Sequence, residues 1–119
     1  MARNLGLEKE MKEICKEIWA RIGVGIFPEI ESKEGGASGC YYEDRHKVYF
    51  RWNVWHKLNI TGKRLLAIHE LIHATGWDHK SLYGYMHGSD ILSLEIYKII
   101  YGEPDISVIK EMAKKLILK

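Results

Sequence analysis

One stretch of the sequence, HELIHATGWDH at residues 69–79, constrains the fold more than any other. His69 and His73 are four residues apart, so on a helix their side chains share one face, one turn apart. Apolar residues occupy the opposite face of the same predicted helix: Leu65, Ile68, Leu71 and Ile72. The stretch therefore predicts a helix that is buried on one side and carries histidines on the other.

The same stretch contains the residue types of a metal site. Histidine nitrogen is a ligand that zinc favours, and His69 and His73 can reach one ion from adjacent turns. Glu70 follows His69 directly and can reach a water on that ion without binding the ion itself. This H-E-x-x-H pattern indicates two zinc ligands, His69 and His73, and a general base, Glu70.

A catalytic zinc site needs a third protein ligand and keeps one position open for water. His79 is one candidate, because Gly76 allows the chain to leave the helix in a left-handed conformation and turn back toward the ion. His87, at the start of the next predicted helix, is a second candidate. Glu95 on that helix is a third, and the residues themselves leave the choice open.

Here the sequence resembles a known family. The string H-E-x-x-H-x-x-G-x-x-H, with a methionine seven residues further on, is similar to the signature of metzincin metallopeptidases. The resemblance extends over residues 69–102, since SDILSLEIYKIIYG is similar to the C-terminal helix of matrix metalloproteinases. It implies three histidine ligands, a catalytic base and an apolar floor beneath the metal, supplied by His69, His73 and His79, by Glu70 and by Met86.

A second resemblance is to smaller zincins, the minigluzincins and the SprT-like proteases. These have a helix, a three-stranded sheet, the H-E-x-x-H helix and a third ligand from the next helix, and their size is closer to that of this chain. The resemblance implies His87 as the alternative third ligand, while Glu95 would take that role in an ordinary gluzincin. Minigluzincin C-terminal segments are associated with latency, which implies a regulatory role for residues 105–119.

Apolar periodicity predicts four helices and about three strands. The helices cover residues 6–22, Thr61–Thr75, Ser89–Tyr101 and Ile106–Leu118, with Thr61 as an N-cap and Gly76 as a stop signal. GIFPEIES forms a first strand that Pro28 places at a sheet edge, KEGGASG is a loop, and CYYEDRHKVYFRW forms a hairpin. These elements predict an α+β fold with a small, three-stranded, mostly antiparallel sheet. The two resemblances imply that this fold is a minimal zincin-like catalytic domain.

Length and composition limit the remaining possibilities. The 119 residues suit one domain, 1–119, and a net charge of +2 gives nucleic acid no obvious basic surface. No signal peptide and no apolar run of membrane-spanning length is present, so we expect a cytoplasmic protein without a membrane partner. Cys15 and Cys40 match no metal-binding spacing and are expected to be reduced thiols. Residues 105–119 form either a helix that closes the core or a regulatory or dimerising segment.

The sequence as a whole predicts a zinc-dependent metalloendopeptidase with one Zn²⁺ per chain. In this hypothesis a zinc-bound water attacks the peptide bond, Glu70 is the general base, and the substrate pairs in extended form with the KVYFRW arm as a sheet edge. One alternative is a latent or non-catalytic protein whose zinc is closed by four ligands, including both His79 and His87. The other is a SprT-like protease of proteins crosslinked to DNA.

Replacing His79 by alanine distinguishes the candidates for third ligand. We expect His79→Ala to reduce zinc affinity strongly relative to the parent chain, measured by competition with a chelator of known affinity. An affinity equal to that of the parent would instead move the third ligand to His87 or Glu95.

Overall fold

A computed structural model describes residues 2–76, 88–104 and 107. The helices in this part of the chain are α1 (Leu5–Ile22), α2 (Trp52–Trp55), α3 (Ile60–Ala74) and α4 (Gly88–Tyr101). The strands are β1 (Glu29–Lys33), β2 (Gly39–Tyr42) and β3 (Lys47–Arg51), with a 3-10 turn at Glu43–Arg45. The predicted α+β class with a three-stranded sheet is confirmed. The predicted last helix and the segment 105–119 lie outside the described residues, except for residue 107.

Helix α1 begins one residue earlier than the apolar pattern predicts. The Asn4 side chain caps it by accepting a hydrogen bond of 3.0 Å from the backbone N–H of Leu7. The predicted apolar stripe is confirmed, because Met11, Cys15 and Ile18 are fully buried. Burying one side of α1 in this way leaves most of its charged side chains on the outside, and Glu8 is the buried exception.

Helix α3 also begins one residue early, and its predicted cap is wrong. The cap is Asn59, whose side chain accepts a 2.8 Å hydrogen bond from the backbone N–H of Gly62. Thr61 is instead buried within the helix, its hydroxyl 3.4 Å from that of Tyr97. At the other end Gly76 has φ = +107°, which confirms that the chain leaves α3 through a conformation that glycine favours.

The sheet has the order β1–β3–β2, so β3 is central. β2 and β3 pair antiparallel, as predicted for the hairpin, whereas β1 and β3 pair in parallel. β1 lies at an edge, as Pro28 indicated, but the assignment of the KVYFRW arm as an edge is wrong. Alternation shows which face of a strand is buried, but not which strands flank it.

The core lies between the sheet and helices α1 and α3, and α4 packs on α3. The sequence does not predict helix α2, because Trp52 continues the apolar alternation of Val48 and Phe50. Its Trp55 is fully buried against Phe50, with ring centroids 4.8 Å apart, and donates a 2.8 Å hydrogen bond to Glu10. In the part of the chain that the structure describes, no helix is long and apolar enough to cross a bilayer.

His46 is half-buried at the hairpin turn. Its Nε2 donates to the backbone oxygen of Ile26 over 2.5 Å, since a carbonyl can only accept. Its Nδ1 then accepts from the Tyr41 hydroxyl over 2.8 Å. His46 thus connects β2 to the loop between α1 and β1.

A buried carboxylate joins the start of α1 to strand β1. Glu8 is 1% exposed and accepts hydrogen bonds from Ser32 Oγ at 2.6 Å, Ser32 N at 3.1 Å and Arg3 Nη2 at 2.6 Å. Burial by itself opposes ionisation, but the bonds from Arg3 and Ser32 outweigh it and lower the pKa of Glu8 to about 2. The ionised carboxylate therefore stabilises the attachment of α1 to β1.

Glu8→Gln should lower the free energy of unfolding by about 2 kcal/mol at neutral pH, because charge-assisted hydrogen bonds are lost. The pKa is lower in the folded chain, so the stabilisation is present above the ordinary value of 4.5 and is lost as pH falls toward 2. Urea unfolding from pH 7 to pH 2.5 measures both effects. The control is Glu13→Gln on the exposed side of α1. If Glu8→Gln and the parent chain lost stability equally on acidification, Glu8 would not be the group responsible.

Candidate metal centre

Helix α3 brings together three of the residues predicted for the site. His69, Glu70 and His73 each offer one ligand atom, and these atoms all lie within 4.8 Å of one another. The helix is fixed in place by its other side, where Leu65, Ile68, Leu71 and Ile72 are buried as predicted. The group could hold a metal ion, and the side chains that compose it project from a helix that is packed into the core.

The two histidines have the separation that one metal ion requires. Their Nε2 atoms are 3.3 Å apart, and their ring centroids are 4.9 Å apart with planes inclined by 78°. Two nitrogen ligands at zinc–nitrogen distances of about 2.0–2.1 Å in a tetrahedron are themselves about 3.3 Å apart. The histidine pair therefore fits a tetrahedral ion without a change in the spacing of its nitrogen atoms.

Glu70 lies beneath the histidine pair and is 5% exposed. Its Oε2 is 3.9 Å from His69 Nε2. At this distance the carboxylate could reach a water molecule on an ion held by the histidines. The buried Cys15 thiol of α1 is a neighbour on the inner side: burial raises the pKa of Cys15, and the negative charge of Glu70 raises it further. The carboxylate is thus held between α1 and the histidines.

Strand β2 approaches Glu70 through a glycine. A Cβ atom at Gly39 would be 2.8 Å from Glu70 Oε2, 2.9 Å from its Cγ and 3.1 Å from its Cδ. Gly39 belongs to the predicted loop KEGGASG and has no predicted role in the site. A glycine at the start of a strand can mark a close approach of another group, and this was the available signal.

Comparisons of the chain with protein-family models, with curated proteins and with solved structures found no match. The function of the chain is therefore inferred from the residues of the site.

An open groove of about 610 Å³ runs over the site. Gly39, Cys40 and Tyr41 of β2 form one wall, and the end of α3 forms the other. Glu43 lies at the end of the β2 wall, and burial together with the charge of Glu43 raises the pKa of Tyr41. The histidines and Glu70 are therefore accessible to a molecule that lies along β2.

The other predicted site residues are not part of this description. His79, His87 and Met86 lie outside the described residues, so the third ligand stays a prediction. Glu95 is on α4, where its side chain is 62% exposed and its Oε1 lies 3.7 Å from Lys98 Nζ. Within the described ranges the metal-ligand group comprises His69, Glu70 and His73 and does not include Glu95.

His73→Ala tests the metal centre directly. Losing a ligand should reduce zinc affinity by more than the roughly 10- to 100-fold that loss of an outer-shell partner costs. Chelator competition or calorimetry measures the affinity, with circular dichroism to check folding. The matched control is His56→Ala, because His56 is exposed and lies at the end of α2. Equal zinc affinity in the two variants would exclude His73 as a ligand.

Proposed function

We propose that this chain is a zinc-dependent metallopeptidase. The observation that carries the proposal is the combination of a histidine pair at 3.3 Å with a buried glutamate 3.9 Å from one of them, all on the floor of an open groove. Each part alone has ordinary structural explanations. Together they supply metal ligands, a base and space for a substrate, which is what hydrolysis of an amide requires.

The donor set favours zinc over other ions. Imidazole nitrogen suits zinc, copper, iron and nickel, whereas magnesium and calcium prefer oxygen. The separation of the two nitrogens supports zinc, because zinc sites in proteins are almost always tetrahedral. The chemistry that a bound zinc ion supplies at such a site is polarisation of a carbonyl group and activation of water.

Glu70 carries the proton transfers. Its carboxylate accepts a proton from the attacking water while the oxygen of that water bonds to the peptide carbonyl carbon. It then donates this proton to the amine nitrogen as the carbon–nitrogen bond breaks, and the carboxylate returns to its charged form. The low exposure of Glu70 supports this role, because a buried carboxylate transfers protons to the substrate rather than to bulk water.

Strand β2 replaces the KVYFRW arm as the surface for an extended substrate. β2 pairs with β3 on one side, and within the described residues no strand pairs with its other side. Because Gly39–Tyr41 also border the groove, a peptide added to this edge passes over the histidine pair. Main-chain hydrogen bonds then hold the substrate with little dependence on its side chains.

The proposed third ligand is His79, with His87 as the alternative. The positive φ of Gly76 supports His79, because α3 ends in a conformation that glycine favours and His79 follows three residues later in the sequence. With His79 the protein is metzincin-like, and with His87 it is closer to the minigluzincins and SprT-like proteases. Both arrangements use His69, His73 and Glu70 in the same roles.

Glu70→Gln separates metal binding from hydrolysis. It should leave zinc affinity close to that of the parent chain and lower kcat by about 10²- to 10⁴-fold, because the base is lost while both histidines remain. Cleavage of a quenched fluorescent peptide library measures the rate. Glu13→Gln, on the exposed side of α1, is the control and should be as active as the parent chain. A zinc-loaded Glu70→Gln variant that cleaved peptides at the parent rate would refute the proposed mechanism.

A further inference from the structure

Gly39 is constrained by space rather than by backbone conformation. Its φ lies outside the left-handed region, so an alanine could adopt the same backbone. What prevents a side chain is Glu70, three of whose atoms lie between 2.8 and 3.1 Å from the position of a Cβ. Because real Cβ atoms essentially never approach another heavy atom within 3.0 Å, one of the two residues must then move.

Glu70 has little room to move. The clash includes its Cγ at 2.9 Å, so rotating the terminal carboxylate alone does not relieve it. The residue is 5% exposed, and its backbone belongs to the packed helix α3. A methyl group at position 39 therefore displaces the whole carboxylate from its place 3.9 Å from His69 Nε2.

We propose that Gly39 is a positioning residue for Glu70: the bare backbone at the start of β2 makes the space in which the carboxylate lies beside His69. The catalytic part of this role depends on the proposed peptidase function, whereas the contact between the two residues does not. Gly39 itself touches no ion and contributes no ligand. It acts on the chemistry only through the position of Glu70.

The first test is a thermodynamic cycle on stability, which needs neither metal nor activity. Gly39→Ala should lower Tm by roughly 5 °C or more, as expected for overpacking a buried contact in a small domain. Glu70→Ala removes Cγ, Cδ and Oε2 together, so adding Gly39→Ala to Glu70→Ala should cost almost nothing. This non-additivity is expected even if Gly39→Ala alone fails to fold.

Gly35→Ala is the matched control. Gly35 lies in the loop before β2, has no positive φ, and a Cβ there would meet nothing within 4 Å. Gly35→Ala should therefore leave Tm unchanged in both the parent and the Glu70→Ala backgrounds. If Gly39→Ala lowered Tm equally with and without the Glu70 side chain, the proposed contact would be wrong.

The second test measures the effect on the reaction. Gly39→Ala should lower kcat by about 10- to 100-fold, the size expected for a small displacement of a reacting group. KM and zinc affinity should stay close to the parent values, because the β2 edge and both histidines are unchanged. An unchanged kcat in Gly39→Ala would show that Gly39 does not position Glu70 for catalysis. An inactive parent chain would refute the peptidase proposal, and the stability cycle would still decide whether Gly39 positions Glu70.

Discussion

The packing of helix α3 is the constraint on which the rest of the structure depends. One side of this helix contributes Leu65, Ile68 and Leu71 to the core, and the next positions along it, His69 and Glu70, form the site. Since side chains on a helix are fixed relative to one another, the packing of the apolar side determines where the histidines point. The site therefore needs no rigid loop for its first three residues, because the core that stabilises the fold also holds them.

Much of this arrangement could be predicted from the sequence, because it follows from local periodicity. The stripe on α1, the hairpin and the histidine spacing each depend on neighbours within a few residues, and each was predicted correctly. The predicted ends of the helices were less accurate. Asn4 and Asn59 each cap a helix through one side-chain hydrogen bond, and the sequence also offers other capping residues nearby, such as Thr61.

The errors have a different origin. The pairing that makes β3 central and the contact between Gly39 and Glu70 both join segments that are far apart in the chain. No periodicity in the sequence records such a contact. The failure to predict helix α2 has the same origin. Trp55 does not continue the alternation of β3 but packs on Phe50 and donates a hydrogen bond to Glu10. Tertiary packing here overrides the local pattern.

Two buried glutamates show how surroundings separate structure from chemistry. Glu8 accepts hydrogen bonds from Arg3 and Ser32, which fix it in the ionised form and make it a structural link. Glu70 instead lies between the Cys15 thiol, a bare glycine and a histidine that borders the groove. A carboxylate held by an arginine is a poor base at neutral pH, whereas the proposed function uses the carboxylate beside a histidine pair that could hold a metal ion.

Strand β2 is a weak element, because it has four residues and, within the described part of the chain, one paired neighbour. A glycine at its start weakens it further through conformational entropy, by about 0.5–1 kcal/mol relative to alanine. Two contacts stabilise β2 in spite of this. β3 pairs with β2 along the length of β2, and hydrogen bonds of His46 connect the Tyr41 hydroxyl to the backbone of Ile26. These contacts leave the groove side of β2 open for a substrate. They also hold Gly39 against Glu70, so the proposed base is fixed in place and still borders the groove.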